Sequence, residues 1–239
     1  MEQQSKSARE IKSIHFLTFP HVSEQDLLAA WELMRSLAWT LSQNGQQLEV
    51  TLGGFDKGHI HTHMGAVLEN QRMVSPDDLF DVLYIPGGLG GGAASKDQRI
   101  LDMIRSHHKE GRWVAANCSG VGILHRSGLL KGLEVSSTAI LARRLPALGT
   151  AVMSPRLAWR IHGKERIFTS GGAGTVHPST IALIWKLFGD EAARSQAAAW
   201  DSLPLHGNSL FSNDGPVMAD AAASMEAVQT QFEMLFLPD

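Results

Sequence analysis

Residues 112–124, RWVAANCSGVGIL, contain the only cysteine of the chain and set how the rest is read. Trp113 to Ala116 is a short apolar run without polar alternation, and WVAAN (113–117) reads as a buried strand. The segment from Ser119 to about Arg126 reads as a helix, so Cys118 falls where the strand breaks into the helix. The spacing Ala116-x-Cys118-x-Gly120 is that of a sharp strand-to-helix turn, in which small neighbours let the backbone fold tightly around an exposed nucleophile. A thiol there feels the positive end of the following helix. On that ground Cys118 is expected to be a partly accessible thiol of lowered pKa in a strained backbone conformation. The alternative from the same residues is a buried, inert cysteine, since free cysteine is among the most buried residue types.

Working outward, strands and helices alternate. SIHFLTF (13–19) reads as a strand ended by Pro20. Residues 23–45 form a helix that Ser23 can cap and Gly45 ends, with Leu27, Trp31, Met34, Ala38 and Leu41 at helical spacing. LEVTLGG (48–54) is a strand and HIHTHM (59–64) a hairpin arm of period two. DVLYIPGGLGGG (81–92) is a strand running into a glycine-rich loop, and a helix spans about Asp97 to Glu110. LEVSS (133–137), a short helix near Leu141 to Leu145, a hairpin over 158–170 and the GGAG loop (171–174) follow. Helices over Thr180–Phe188, Asp190–Trp200 and Asp220–Phe236 close the chain. This order predicts an α/β fold, a doubly wound, mostly parallel sheet with helices on both faces. The expected organisation is a disordered leader over 1–12, one domain over 13–200 and a C-terminal helical extension of that domain over 201–239.

The bulk numbers narrow the function. Of 239 residues 44% are hydrophobic and 19% charged, enough for a sizeable core, and the net charge of −3 leaves no electrostatic footprint for nucleic acid. One cysteine excludes an intrachain disulfide and a CxxC metal site. The N-terminus lacks the apolar region of a signal peptide, and no stretch approaches the ~20 apolar residues that span a bilayer. The expectation is a cytoplasmic protein with no membrane partner and a reduced thiol.

Three further features carry chemistry. Gly87 and Gly88 would let backbone N–H groups approach a ligand as an oxyanion hole requires, but a plain glycine turn has the same composition. Asp26 is either the N3 carboxylate of a Ser23-x-x-Asp26 capping box or an acid–base group aimed into the crevice at the strand ends. His59, His61 and His63 share one face of a strand at a spacing that could bind metal, yet no carboxylate or cysteine completes the set locally, so an exposed hairpin or dimer contact is expected. His125 lies two helical turns from Cys118, ~10 Å away, and reads as a surface histidine. Pro178, in VHPST, marks the start of a helix.

FPHVSEQDLL, DVLYIPGG, AANCSGVGILHRSGLLKG and IFTSGGAGT, in this order, resemble the ThiJ/PfpI superfamily, a flavodoxin-like fold related to class I glutamine amidotransferases. The resemblance runs from about Ile14 to Trp200 and is nearest to the isonitrile hydratase-like branch. It implies a homodimer in which Cys118 is the nucleophile and Asp26 handles protons. It further implies that the backbone N–H groups of Gly88 and Ser119 stabilise negative charge, with Gly87 and Gly172 in the same substrate-binding loops and no metal or organic cofactor. The implied reaction is hydration of a small-molecule isonitrile to an N-substituted formamide. Glyoxalase-like, redox or chaperone chemistry is the alternative on the same scaffold. A ligand-sensing domain related to AraC-type regulators is another, which the lack of room for a helix-turn-helix after Trp200 disfavours. Two departures stand out. Ala29 and Ala30 replace a usual Gly-Pro, which is expected to alter the pocket floor, and Thr138–Ala139 stand where many relatives carry a histidine. No imidazole is therefore expected within reach of Cys118.

Overall fold

The computed structural model describes residues 10–201, 211–218 and 222–239. The apolar runs form strands and the amphipathic runs form the crossovers. In chain order they are β1 (Ser13–Leu17), a π-helical turn over Gln25–Ala29 leading into α1 (Ala30–Gln43), β2 (Glu49–Gly54), the hairpin β3 (His59–His61) and β4 (Val67–Glu69), β5 (Arg72–Met73) and β6 (Val82–Ile85). Next come α2 (Gly91–Ala94), α3 (Gln98–Lys109), β7 (Trp113–Asn117) and α4 (Gly120–Arg126). Then follow β8 (Glu134–Val135), α5 (Arg144–Ala147), β9 (Ala151–Val152), β10 (Trp159–His162) and β11 (Ile167–Ser170). The last helices are α6 (Val176–Phe188), α7 (Asp190–Ala199) and α8 (Ala222–Phe236).

Seven strands make one sheet in the order β10-β11-β7-β6-β1-β2-β5, parallel except at the β10 edge. The fold is thus the expected α/β architecture. Every residue of β6, β7 and β11 is buried, because helices cover both faces. Helices α1, α6 and α7 pack as one group, and α2 lies with α4 and α8, and α3 with α4, as a second. From β1 the chain runs outward to β2, then returns to the other side of β1 at β6. The crevice at the carboxyl ends of β1 and β6 is therefore the topological switch point, where ligands of such sheets bind.

Several boundaries differ from the sequence expectation for local reasons. The expected helix at 141–145 is split into a 3₁₀ turn, Ala139–Leu141, and α5. Strand 133–137 shrinks to two residues, paired only with β9. Helix α6 begins at Val176, four residues early, since Pro178 still lies in the first turn where its missing N–H costs nothing. Of the expected leader, residues 1–9 lie outside the described residues. Lys12 donates its N–H to Asp81 Oδ2 at 2.8 Å. Within 201–239, Asp214 and Val217 bridge to Arg160 and Leu157 at the sheet edge. Helix α8 packs on α2 and the Ala139–Leu141 turn, fastened by the Arg143–Glu233 pair at 2.9 Å and by Arg144 Nε donating to Leu237 O at 3.0 Å. Among the described residues, no helix is long and apolar enough to cross a membrane.

Two histidines belong to this core rather than to a site. His15 on β1 stacks on Phe80 at 4.4 Å, and His107 on α3 bonds Met103 O at 2.7 Å while its other nitrogen accepts from Phe80 N–H at 3.0 Å. Burial pushes both pKa values down to about 4. The unfolded chain therefore binds more protons than the fold between about pH 6.5 and 4, so this stability is present above 6.5 and is lost as pH falls through that window. Chemical denaturation across pH 7 to 4 should show a loss on the order of 1–3 kcal/mol for each histidine. A His15→Gln variant should flatten the slope.

Candidate active site

Cys118 directly follows β7 and has φ 51°, the left-handed region that a residue with a Cβ enters only under strain. Its N–H donates to Ser170 O (3.2 Å) and Gly171 O (2.9 Å), and its carbonyl accepts from Ser137 Oγ (3.2 Å), so bonds from two loops hold the turn. Gly120 completes the motif because a Cβ there would lie 2.3 Å from Ile85 O. The tight turn expected from the spacing is therefore present.

Asp26 reaches the same point from β1. Ser23 Oγ accepts the Asp26 N–H at 3.3 Å, which caps the helix. The reciprocal half of a capping box is not made, because Ser23 N–H donates to Gly87 O at 2.9 Å instead. The carboxylate is free for other work. Asn117 Nδ2 donates to Oδ1 at 3.1 Å, and the Cys118 thiol is a further hydrogen-bond partner. The π turn over Gln25–Ala29 is a local widening of the kind that recurs at functional sites.

The charges of the pair are coupled. Burial raises the Asp26 pKa to about 6, against the pull of hydrogen bonds from Cys118, Ser23 and Asn117. Burial, and then the Asp26 charge, push the Cys118 thiol well above its ordinary value, although the Ser119 N–H and the Thr138 hydroxyl act the other way. This runs against the expectation of a lowered thiol pKa, whereas the strained turn and an adjoining cavity are as expected. Cys118 is 8% exposed, and a seven-residue helix does not offset desolvation and a neighbouring carboxylate. At neutral pH the pair is a thiol beside a carboxylate, sharing one proton.

The remaining expected residues divide. Gly172 lies close to the sulfur, its hypothetical Cβ 3.9 Å from Sγ. Gly87 has a packing role, since a Cβ there would lie 2.6 Å from Cys118 Cβ, 2.7 Å from Asp26 Oδ2 and 2.9 Å from Ser119 N. Gly88 N–H is not a free oxyanion donor, because it donates to Ser119 Oγ at 2.8 Å while that hydroxyl donates to Gly88 O at 2.9 Å. The Ser119 backbone N–H does face the sulfur. Ala29 and Ala30 do not form the pocket floor. Ala30 is buried in the core, a helical turn beyond Asp26.

A cavity of about 690 Å³ opens on Cys118 and Asp26, with Thr138, Gly172 and His63 in its wall and Ile140 and Phe236 among its apolar lining. Sequence reasoning missed Asn117 and Phe236, and set His63 aside as part of an exposed hairpin or dimer contact. Asn117 had a local signal, its place directly before the cysteine; Phe236 had none. Thr138, the first of the Thr138–Ala139 pair, hydrogen-bonds the sulfur. His125 instead bonds Thr150 Oγ1 at 2.7 Å and His177 packs on Trp200. Among the described residues no group of three histidine, cysteine or acidic side chains could hold a metal ion.

Residues 12–183 match the DJ-1/PfpI family. The chain belongs to that family. It is 28% identical over 181 residues to isonitrile hydratase of Pseudomonas putida, covering 76% of this chain and 74% of that one. Protein DJ-1 homolog A of Arabidopsis thaliana is 37% identical over 120 residues, but this covers 49% of the chain and 29% of the relative. Deglycase PfpI of Pyrococcus furiosus is 34% identical over 92 residues, 37% and 55% of the two chains. Among solved structures, a ThiJ/PfpI family protein from Pseudomonas syringae superposes with a TM-score of 0.73 over 99% of this chain and 95% of that one at 18% identity, which shows the fold.

Two substitutions test the pair. The fold binds the Asp26 proton more tightly than the unfolded chain does, so between about pH 3.8 and 6 stability falls as pH rises, and above 6 the deficit is complete. Asp26→Asn should remove the deficit, raising stability on the order of 1–3 kcal/mol at pH 7 and almost nothing below pH 4, as read by denaturation at both pH values. Gly87→Ala should cost roughly 1–3 kcal/mol by overpacking. It should also separate the carboxylate from the sulfur, seen as a changed pH profile of Cys118 alkylation.

Proposed function

We propose that this chain is a cysteine-dependent enzyme that hydrates isonitriles to N-substituted formamides. The observation that carries the reading is the buried Cys118–Asp26 pair, open to a cavity and without a histidine bonded to the sulfur. Amide cleavage needs a strong acid for its amine leaving group, and this site holds none. A neutral substrate with an electrophilic carbon has no leaving group to protonate; a base must take the thiol proton as the sulfur attacks, and a carboxylate of pKa near 6 suits that. The relative named isonitrile hydratase, matched over three quarters of both chains, supports the same substrate class.

The steps balance. The sulfur of Cys118 bonds the terminal isonitrile carbon, and the thiol proton passes through Asp26 to that carbon, giving a thioimidate. Water then adds to the C=N bond; Asp26 takes its proton and delivers it to nitrogen. The adduct collapses, the C–S bond breaks, and the hydroxyl proton returns through Asp26 to the sulfur. The product is the formamide, and the net change is addition of one water. The apolar side of the cavity, with Ile140 and Phe236, suits an apolar N-substituent. The chemistry needs a reduced thiol, which a reducing compartment maintains.

A second reading, addition to a 2-oxoaldehyde, shares the nucleophile and base, and the match to a deglycase favours it. Assaying the purified chain, Cys118→Ala and Asp26→Asn against aliphatic isonitriles and 2-oxoaldehydes separates the two. Formamide production with kcat/KM rising through about pH 6, as Asp26 loses its proton, is expected, and both variants should lose at least a hundredfold. Turnover of the aldehyde alone would establish the second reading.

A further inference from the structure

We infer that His63 is a catalytic residue of this site, donating a hydrogen bond from Nε2 to the substrate heteroatom that gains electron density when Cys118 attacks; this rests on the proposed nucleophilic role of Cys118. The ring comes from the segment joining β3 to β4, the part of the sequence set aside as an exposed hairpin. Three bonds tie that segment to the loop just before Asp26. His63 N–H donates to Val22 O at 2.8 Å, Met64 N–H donates to Glu24 Oε1 at 2.9 Å, and the Thr62 hydroxyl donates to the same carboxylate oxygen. The side chain is fixed from the other side of the crevice, where Leu89 N–H donates to His63 Nδ1 at 3.2 Å. A nitrogen that accepts a backbone N–H carries no proton, so the neutral ring bears its hydrogen on Nε2. Among the described residues Nε2 has no protein partner, and His63 lines the cavity that holds Cys118.

The site needs such a donor. Sulfur attack and the following water attack leave an electron pair on nitrogen of a thioimidate, or on oxygen of an aldehyde, and that pair must be met by an N–H or O–H. Gly88 N–H is engaged with Ser119, the Thr138 hydroxyl is bonded to the sulfur, and Asp26 starts the cycle as an acceptor. His63 supplies an imidazole from the wall opposite in sequence to the one where relatives place theirs, in contact with the substrate and not with the thiol.

Two variants separate donation from packing. His63→Phe keeps ring volume without the donor, whereas His63→Gln can place an amide N–H near the Nε2 position. On an isonitrile, kcat should fall roughly tenfold or more in the phenylalanine variant, the size of one lost hydrogen bond at the transition state, with KM little changed. Most of the rate should return in the glutamine variant. A readout independent of turnover is adduct formation at Cys118, followed by intact mass. Acrylamide, whose carbonyl oxygen gains charge on addition, should react more slowly with His63→Phe, and iodoacetamide, which only expels iodide, should not. Equal slowing with both reagents, or wild-type rates with acrylamide, would overturn the inference. So would a glutamine variant no better than phenylalanine. If wild type fails to turn over isonitriles, the substrate reading falls while the acrylamide comparison still decides the role of His63.

Discussion

Two groups that each become anionic on losing a proton share one desolvated point in this fold, and most of the local structure serves to keep them there. Asp26 is brought from the end of β1 and Cys118 from the end of β7, with β6 between them in the sheet. The strand that separates them must contribute no side chain at the point of contact, and Gly87 meets that condition. Water cannot dilute the repulsion between two negative charges there, so the pair holds a proton jointly. Among the described residues no histidine is bonded to the sulfur, so the proton is held between carboxylate and thiol.

The same arrangement explains why the elbow is strained and why the strain persists. A residue at φ 51° is held by donors and acceptors from β11, its following loop and Ser137. Those partners sit in strands and loops that are buried on all sides, so relaxing Cys118 would break several bonds at once. Charge burial at Asp26 and backbone strain at Cys118 are both unfavourable locally. They are tolerated because the surrounding sheet is a well-packed apolar core.

The sheet was legible in the sequence wherever an apolar run ended in a turn residue, as at Phe19–Pro20, Ile85–Pro86 and Asn117–Cys118. Fully buried parallel strands lack polar alternation, and that lack marked them. Asp26 was ambiguous for a good physical reason. Ser-x-x-Asp is the pattern of a helix cap and equally of a carboxylate on the first turn of a helix aimed at a crevice, and only the position of Gly87 O decides between them. The thiol's raised pKa was not legible, because it depends on burial by segments far away in the chain. Gly88 was misjudged because a two-way bond with Ser119 uses a side chain that sequence spacing does not orient. His63 was legible as a histidine of the hairpin but not as part of the cavity wall. Its alternation with His59 and His61 suggests one strand face, but the strand ends at His61 and the next residues turn into the crevice.

Seen as a folding problem, the cavity is an extreme case of non-local assembly. Its lining draws on the start of the first helix, a hairpin, the loop after β6, the elbow, the Thr138–Ile140 turn, the loop after β11 and Phe236 near the last described residues. Contacts of such sequence separation form late and at a large loop-closure cost. Among the described residues, no contiguous fragment supplies the thiol, the carboxylate and the apolar wall together. Assembly of this cavity is thus a report on global folding. The reactive sulfur acquires its partner and its cover only when the whole molecule has closed.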